Sequence, residues 1–192
     1  MFNNKPQHYP ASLEAIQAAS EAIGFSMPSD FQTGALLQTL AASKPKASVL
    51  EIGTGTGLAT AWLLAGMDAT SNLISIDSEA SYQTIANECL GQDARLQLVC
   101  TDAADWLVKQ DHATFDLIFA DAWPGKYANL EETLNLLKSG GFYVIDDMLP
   151  QPNWPAGHDK KADDLTHYLE SRTDVQLVKM AWSTGIMLVV KK

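Results

Sequence analysis

Cysteine is nearly absent: Cys89 and Cys100 are the two in 192 residues. Their spacing makes neither a disulfide framework nor a zinc site, so both are expected to be reduced, buried thiols of a cytoplasmic protein. Positive charge is also scarce, with 13 Lys and Arg against 23 Asp and Glu and a net charge of −10. Nothing here would neutralise a nucleic-acid backbone or seek an anionic membrane surface. No apolar run is long enough to cross a bilayer. The stretch MFNNKPQHYPASLEAIQ has one Lys and no apolar core, which is not the pattern of a secretory signal. Internal repeats and low-complexity tracts are missing too. What is left is an ordinary globular composition, and a length that suits one domain over residues 1–192.

Apolar periodicity predicts helices near residues 12–23 and 30–42, separated by the breaker stretch GFSMPSD. They form an N-terminal helical cap over residues 1–45, and residues 46–192 form the core. From Ser48 onward, short β-branched runs (SVLEI, LISID, RLQLVC, FDLIFAD, FYVID) alternate with helical stretches (ATAWLLA, SEASYQTIANECLG, ADWLVKQ, LEETLNLLKSGG). Each helix is long enough for a crossover, so the fold class is α/β: a doubly wound, mostly parallel sheet with helices on both faces. At the end, DVQLVKMAWS and GIMLVVKK flank Ser183-Thr184-Gly185 and read as an antiparallel hairpin, giving seven strands. MLPQPNWPAGHDKK, residues 148–161, carries three prolines and reads as an irregular loop.

Gly53, Gly55 and Gly57 follow the first strand directly. One glycine would suffice for a tight turn, so three suggest a ligand brought close to the main chain at the carboxyl end of a strand. A dinucleotide fingerprint needs a third glycine where Leu58 stands, which argues against a nicotinamide dehydrogenase. The stretch from Glu51 to Gly57, E-x-G-x-G-x-G, instead resembles motif I of the class I S-adenosylmethionine-dependent methyltransferases. That resemblance implies a Rossmann-like sheet with the seventh strand antiparallel beside the sixth, and S-adenosylmethionine as cofactor. It implies that Gly53, Gly55 and Gly57 hold the methionine half, with Glu51 supporting the loop and the amine. Asp77, ending the second strand, would accept from the ribose hydroxyls. Asp102, with Ala103 beside it, would meet the adenine; capping the following helix is an equal role for Asp102.

Asp121, Asp146 and Asp147 end two strands that should be neighbours. Carboxylates brought together raise one another's pKa unless a cation joins them, and an all-oxygen set suits Mg²⁺, Mn²⁺ or Ca²⁺. Over Ser48 to Lys192, the stretches VLEIGTGTG, FDLIFADA, LLKSGGFYVIDDML and TGIMLVVKK resemble the catechol and caffeoyl-CoA O-methyltransferases. In that family an Asp after strand four and an Asp-Asn pair after strand five hold a divalent metal; here Asp147 replaces the Asn. The family's catalytic Lys position is Pro124, with Lys126 two residues later, and its carboxylate-binding Ser is Ala59. Helix capping and loop hydrogen bonding are the other role open to Asp146 and Asp147.

Asp121 and Lys126 are the candidate catalytic residues, although a Lys beside Tyr127 more often reaches solvent. Asp121 could also face the cofactor's amino group. Trp123 and Trp154 should flank the site; His158 is a candidate base, although a surface residue opening the last helix is the commoner case. Met27 and Ser29 are expected to close over the methionine tail. The expected function is O-methylation of a small-molecule acceptor, with a homodimer implied by analogy. The alternatives are a metal-independent N- or carboxyl-methyltransferase and a non-catalytic S-adenosylmethionine-binding protein.

Overall fold

The computed structural model describes residues 5–152 and 154–192. Seven strands form one sheet in the order β3-β2-β1-β4-β5-β7-β6. They are β1 (Ser48–Ile52), β2 (Asn72–Asp77), β3 (Leu96–Cys100), β4 (Phe115–Ala120), β5 (Leu137–Ile145), β6 (Val175–Met180) and β7 (Ile186–Lys191). β1 to β5 pair in parallel, and β7 lies antiparallel between β5 and β6. The helices are α1 (Leu13–Ala22), α2 (Phe31–Ala42), α3 (Leu58–Gly66), α4 (Ala80–Leu90), α5 (Ala103–Leu107), α6 (Leu130–Leu136) and α7 (His158–Ser171). None is long and apolar enough among the described residues to cross a membrane.

Alternation along the strands sorts side chains to two faces. Val49, Leu73, Leu117, Phe119 and Val144 pack with α1, α2 and α3. Leu50, Ile52, Ile118, Tyr143 and Ile145 pack with α5, α6 and α7 on the other side. Both faces are therefore covered, which is why the strands read as continuous apolar runs. Each fully buried Leu, Ile, Val or Phe contributes roughly 1.5–3 kcal/mol. Asp30 caps α2 by accepting from the main-chain N–H of Gln32 and Thr33, at 2.7 and 3.2 Å.

The structure moves three sequence assignments. LKSGG, expected to end a helix, belongs to β5: α6 stops at Leu136, and Leu137 already pairs with Phe115. The ladder then skips to Phe142 opposite Leu117, so the intervening Gly-rich stretch arches out and shows no period-2 pattern. The 148–161 loop is shorter than expected, since α7 begins at His158; its Asn153 lies outside the described residues, as do residues 1–4 of the cap. Neither cysteine is buried, Cys89 being half-buried and Cys100 exposed.

Candidate functional site

β1 and β4 are neighbours from which the chain winds off in opposite directions, toward β2 on one side and β5 on the other. Ligands bind at such switch points, beyond the carboxyl ends of the strands. A cavity of about 600 Å³ lies there, lined by the exits of β1, β2, β4 and β5 and by the α1–α2 connection. That volume suits a small ligand. The order of strands sets its two ends: Asp77 at one, Asp146 and Asp147 at the other.

At the β1–β2 end the main chain is tied down closely. Gly53 and Thr54 both donate their N–H to the Ile76 carbonyl, at 2.9 and 3.1 Å. One oxygen of Asp77 accepts from the Gly55 N–H at 2.8 Å, the other from the Glu79 N–H at 2.9 Å. Each carboxylate oxygen keeps further acceptor capacity, which suits a pair of sugar hydroxyls. Gly53, Gly55 and Gly57 have φ of 102°, 50° and 95°, where side-chain-bearing residues are strained. A Cβ on Gly53 would lie 2.9 Å from the Asp121 carbonyl oxygen, and one on Gly57 2.9 Å from the Ala86 Cβ. Backbone geometry and packing therefore use all three glycines before any ligand arrives. The inference that one would suffice for the turn does not hold.

Glu51 lies under this turn, fully buried, outside the cavity lining. Its Oε2 accepts from the Thr60 and Ser75 hydroxyls at 2.5 Å, while Oε1 has no partner among the described residues. Burial pushes its pKa up to about 7, with the hydroxyl donors opposing. Ser75 also meets Thr54 at 2.7 Å, and Gln83 donates to Thr54 at 2.9 Å. Sequence reasoning missed this buried polar net; Thr and Ser in apolar runs were its only trace. Asp102 caps α5 by accepting from the N–H of Ala104 and Asp105, at 2.7 and 3.3 Å. Neither it nor Ala103 lines the cavity.

At the β4–β5 end the expected convergence occurs: Asp121, Asp146 and Asp147 all reach the cavity wall. Ser29 donates to Asp121 Oδ2 at 3.2 Å, bringing the α1–α2 connection onto the site; Met27 lines it too. Asp146 Oδ1 accepts from the Thr184 hydroxyl at 2.7 Å and from the Asp147 N–H at 2.8 Å. Burial, then Asp146, holds the Asp121 carboxyl well above the usual carboxylate range; burial pushes Asp146 to about 6. Asp147 has φ 55°, a left-handed conformation that Asp and Asn tolerate best after glycine.

Lys126 does not reach solvent. It is 4% exposed, and its Nζ donates to the Asp146 carbonyl oxygen at 2.8 Å, placing an ammonium behind the acids. A Pro124-Gly125 turn, closed by the Gly125 N–H to the Ala128 carbonyl at 2.7 Å, folds it inward. His158 is likewise no surface residue. At 7% exposure it lines the cavity, stacked on Trp154 at 4.2 Å, with Nε2 3.2 Å from the Tyr127 hydroxyl. Burial lowers its pKa. Trp154 lines the cavity, whereas Trp123 is 49% exposed beneath the Lys161 ammonium.

In this arrangement the trio is not gathered as a divalent-metal site. Among the described residues no three of His, Cys, Asp and Glu are gathered as a metal-holding group. Asp146 spends one oxygen on two donors, and Lys126 supplies positive charge from behind.

The chain also matches known proteins. A family model described as O-methyltransferase covers residues 11–192. Over 142 residues the chain is 34% identical to a protein of Mycobacterium sp. (strain KMS) whose own assignment as an O-methyltransferase is provisional, a match covering 70% of this chain and 64% of that one. A similarly assigned protein of Mycobacterium leprae (strain TN) is 32% identical over 140 residues, covering 70% and 62%. The chain thus spans less than two thirds of the length of these curated relatives. Among solved structures, the O-methyltransferase TomG of Streptomyces achromogenes with S-adenosylmethionine superposes with TM-score 0.84 at 24% identity, covering 96% and 91% of the two chains. The Bacillus cereus O-methyltransferase with S-adenosylhomocysteine gives 0.83 at 20%, covering 97% and 93%. These two likenesses establish the fold. With the family model matched from residue 11 to residue 192, the chain belongs to the O-methyltransferase family.

Proposed function

We propose that this chain moves the methyl group of S-adenosylmethionine to an oxygen of a small-molecule acceptor, as one methyltransferase domain. The observation that carries this is the joining of Asp77 to the glycine turn at one end of a cavity whose other end holds buried Asp146 and half-buried Asp121 and Asp147. When bound, the cofactor supplies a methyl on a sulfonium, whose C–S bond gives its electron pair to sulfur as the new C–O bond forms. Asp77 holds the ribose hydroxyls, and Gly53 to Gly57 present main chain to the methionine tail. Glu51 supports that turn from below. The pairing of β3 with β2 supports an adenine-side role for Asp102 and Ala103, which stand beyond the cavity lining.

Asp121 accepts the acceptor hydroxyl's proton; a carboxyl with a raised pKa is a better base near neutrality than a free one. Lys126 is a positioning residue whose ammonium steadies the Asp146 main chain and offsets the acids' repulsion. Alignment of donor and acceptor with water excluded supplies the rest of the rate. No step runs through a metal.

A net charge of −10 favours small molecules over nucleic acid as substrate. The free cysteines fit a cytoplasmic setting, and exposed Tyr9, Met27 and Phe31 around the N-terminal helices offer an apolar surface for a homodimer. Calorimetric titration with S-adenosylmethionine, S-adenosylhomocysteine and NAD tests the proposal. Binding of the first two without NAD, followed by methyl transfer in an EDTA-treated acceptor screen, is expected. NAD binding, or cofactor binding with no transfer to any acceptor, contradicts it.

A further inference from the structure

Glu51 is a buried acid that takes no part in the methyl transfer itself. It is 0% exposed beneath the glycine turn, and the one charge that acts on it is the negative charge of Asp77. Its Oε2 takes both donors within reach, the Thr60 and Ser75 hydroxyls, while Oε1 takes none among the described residues. An ionised Glu51 thus keeps a bare oxygen out of water, and a proton on Oε1 would find no acceptor. Neither state is fully satisfied, so a change of charge nearby decides between them.

The carboxyl is wired to the cavity wall. A hydroxyl has one proton, which fixes the order of the hydrogen bonds around it. Ser75 gives its proton to Glu51, so at 2.7 Å it accepts that of Thr54. Thr54 accepts from the Gln83 amide nitrogen, which also faces the Ser75 and Val99 carbonyls. The chain therefore runs one way, from Thr54 in the cavity lining through Ser75 to the carboxylate. That is the direction an ionised Glu51 needs; a proton on Oε2 shared with Ser75 would reverse it.

The groups facing Glu51 are few. α3 brings Thr60, α4 brings Gln83 through Thr54, β4 brings Phe119 at the paired register position, and β2 brings Ser75 and Asp77. Of these only Asp77 carries charge, and it too lines the cavity. A cation seated beside Asp77 acts on Glu51 with the opposite sign and favours its ionised form.

S-Adenosylmethionine bears a sulfonium, an ammonium and a carboxylate, leaving one net positive charge; S-adenosylhomocysteine lacks the sulfonium and is neutral overall. On the reading that this cavity is a methyltransferase site, we propose that Glu51 is a positioning residue that answers the donor's charge through Ser75 and Thr54, giving up its proton when S-adenosylmethionine binds and recovering one from solvent once the sulfur is neutral. The site then holds the charged donor more tightly than the spent product. Because the donor favours the ionised form, its affinity rises with pH up to the free protein's titration at about 7 and levels off above it.

Each ligand is titrated calorimetrically at about pH 6.5 in two buffers of different ionisation enthalpy, so that the difference in heat counts protons. S-Adenosylmethionine should release about half a proton per site, and S-adenosylhomocysteine less than half as much. Between pH 5 and pH 8 the donor's affinity should rise about tenfold, the equivalent of one pKa unit. Asp121 and Asp146 also titrate at the opposite end, and Glu51→Gln separates their share: it should remove most of the release and hold the rise below about threefold. Ser75→Ala takes a donor from the carboxylate and should move the rise to higher pH, which keeps the test open if Glu51→Gln does not fold. No proton release, equal release by the two ligands, release undiminished in E51Q, or a profile that S75A leaves in place would each overturn the proposal. Failure of both ligands to bind would instead remove the methyltransferase reading, and this one with it.

Discussion

The two ends of the cavity are built on different principles. At the β1–β2 end the wall's own main-chain donors are saturated: each Asp77 oxygen holds one and keeps capacity for a sugar hydroxyl, and the turn's first two N–H groups share one carbonyl. At the β4–β5 end the wall is less complete: among the described residues the buried His158 Nδ1 is unmet, and Asp147 is half-buried at the cavity. A saturated wall is rigid and presents one shape to one ligand. A less complete wall leaves half-buried polar groups in contact with whatever occupies the cavity. The first arrangement suits an invariant cofactor, the second an acceptor that distinguishes one chain from its relatives.

The comparison breaks most visibly at Asp77. Asp77→Ala removes the acceptor of two main-chain N–H groups and the proposed sugar contacts together. S-Adenosylmethionine affinity measured by calorimetry should fall by about two to three orders of magnitude, the worth of two hydrogen bonds to a charged group. An unchanged affinity would show that the saturated end does not hold the cofactor.

Glu51 sharpens the comparison with a smaller effect, because the saturated wall rests on an unpaired atom below its floor. Its carboxyl titrates near 4.5 in the unfolded chain and about 7 when folded and buried. The folded state therefore holds the proton more tightly. This group's contribution to stability is fully present below pH 4.5 and is lost as pH rises through 7. Between pH 5 and pH 8 the unliganded protein should lose on the order of 2–3 kcal/mol through this one group. Glu51→Gln should flatten that part of the denaturation-midpoint profile. A profile that Glu51→Gln leaves unchanged would mean the carboxyl is not held neutral.

Much of this was legible in sequence, and for physical reasons. Sheet residues covered on both faces must be apolar throughout, so SVLEI and FDLIFA declared themselves. Asp77, Asp121 and Asp146 could be placed because strand ends in a parallel sheet share one edge. What stayed hidden depended on contacts between segments far apart. Lys126 looked solvent-bound because nothing local says that a Pro-Gly turn aims it at Asp146, 20 residues on. His158 looked exposed because its cover comes from Trp154 and Tyr127, on two separate loops. The metal expectation drew on the same edge: spacing brings three carboxylates together, while their orientation and the ammonium behind them are tertiary facts.

The account rests on the saturated end receiving the cofactor's sugar and methionine tail. A crystal of the protein grown with S-adenosylhomocysteine tests this most directly. The account predicts both ribose hydroxyls on the Asp77 carboxylate and the amino-acid tail over the Gly53–Gly57 turn. Ligand density at the β4–β5 end or outside the cavity, with Asp77 untouched, would contradict it.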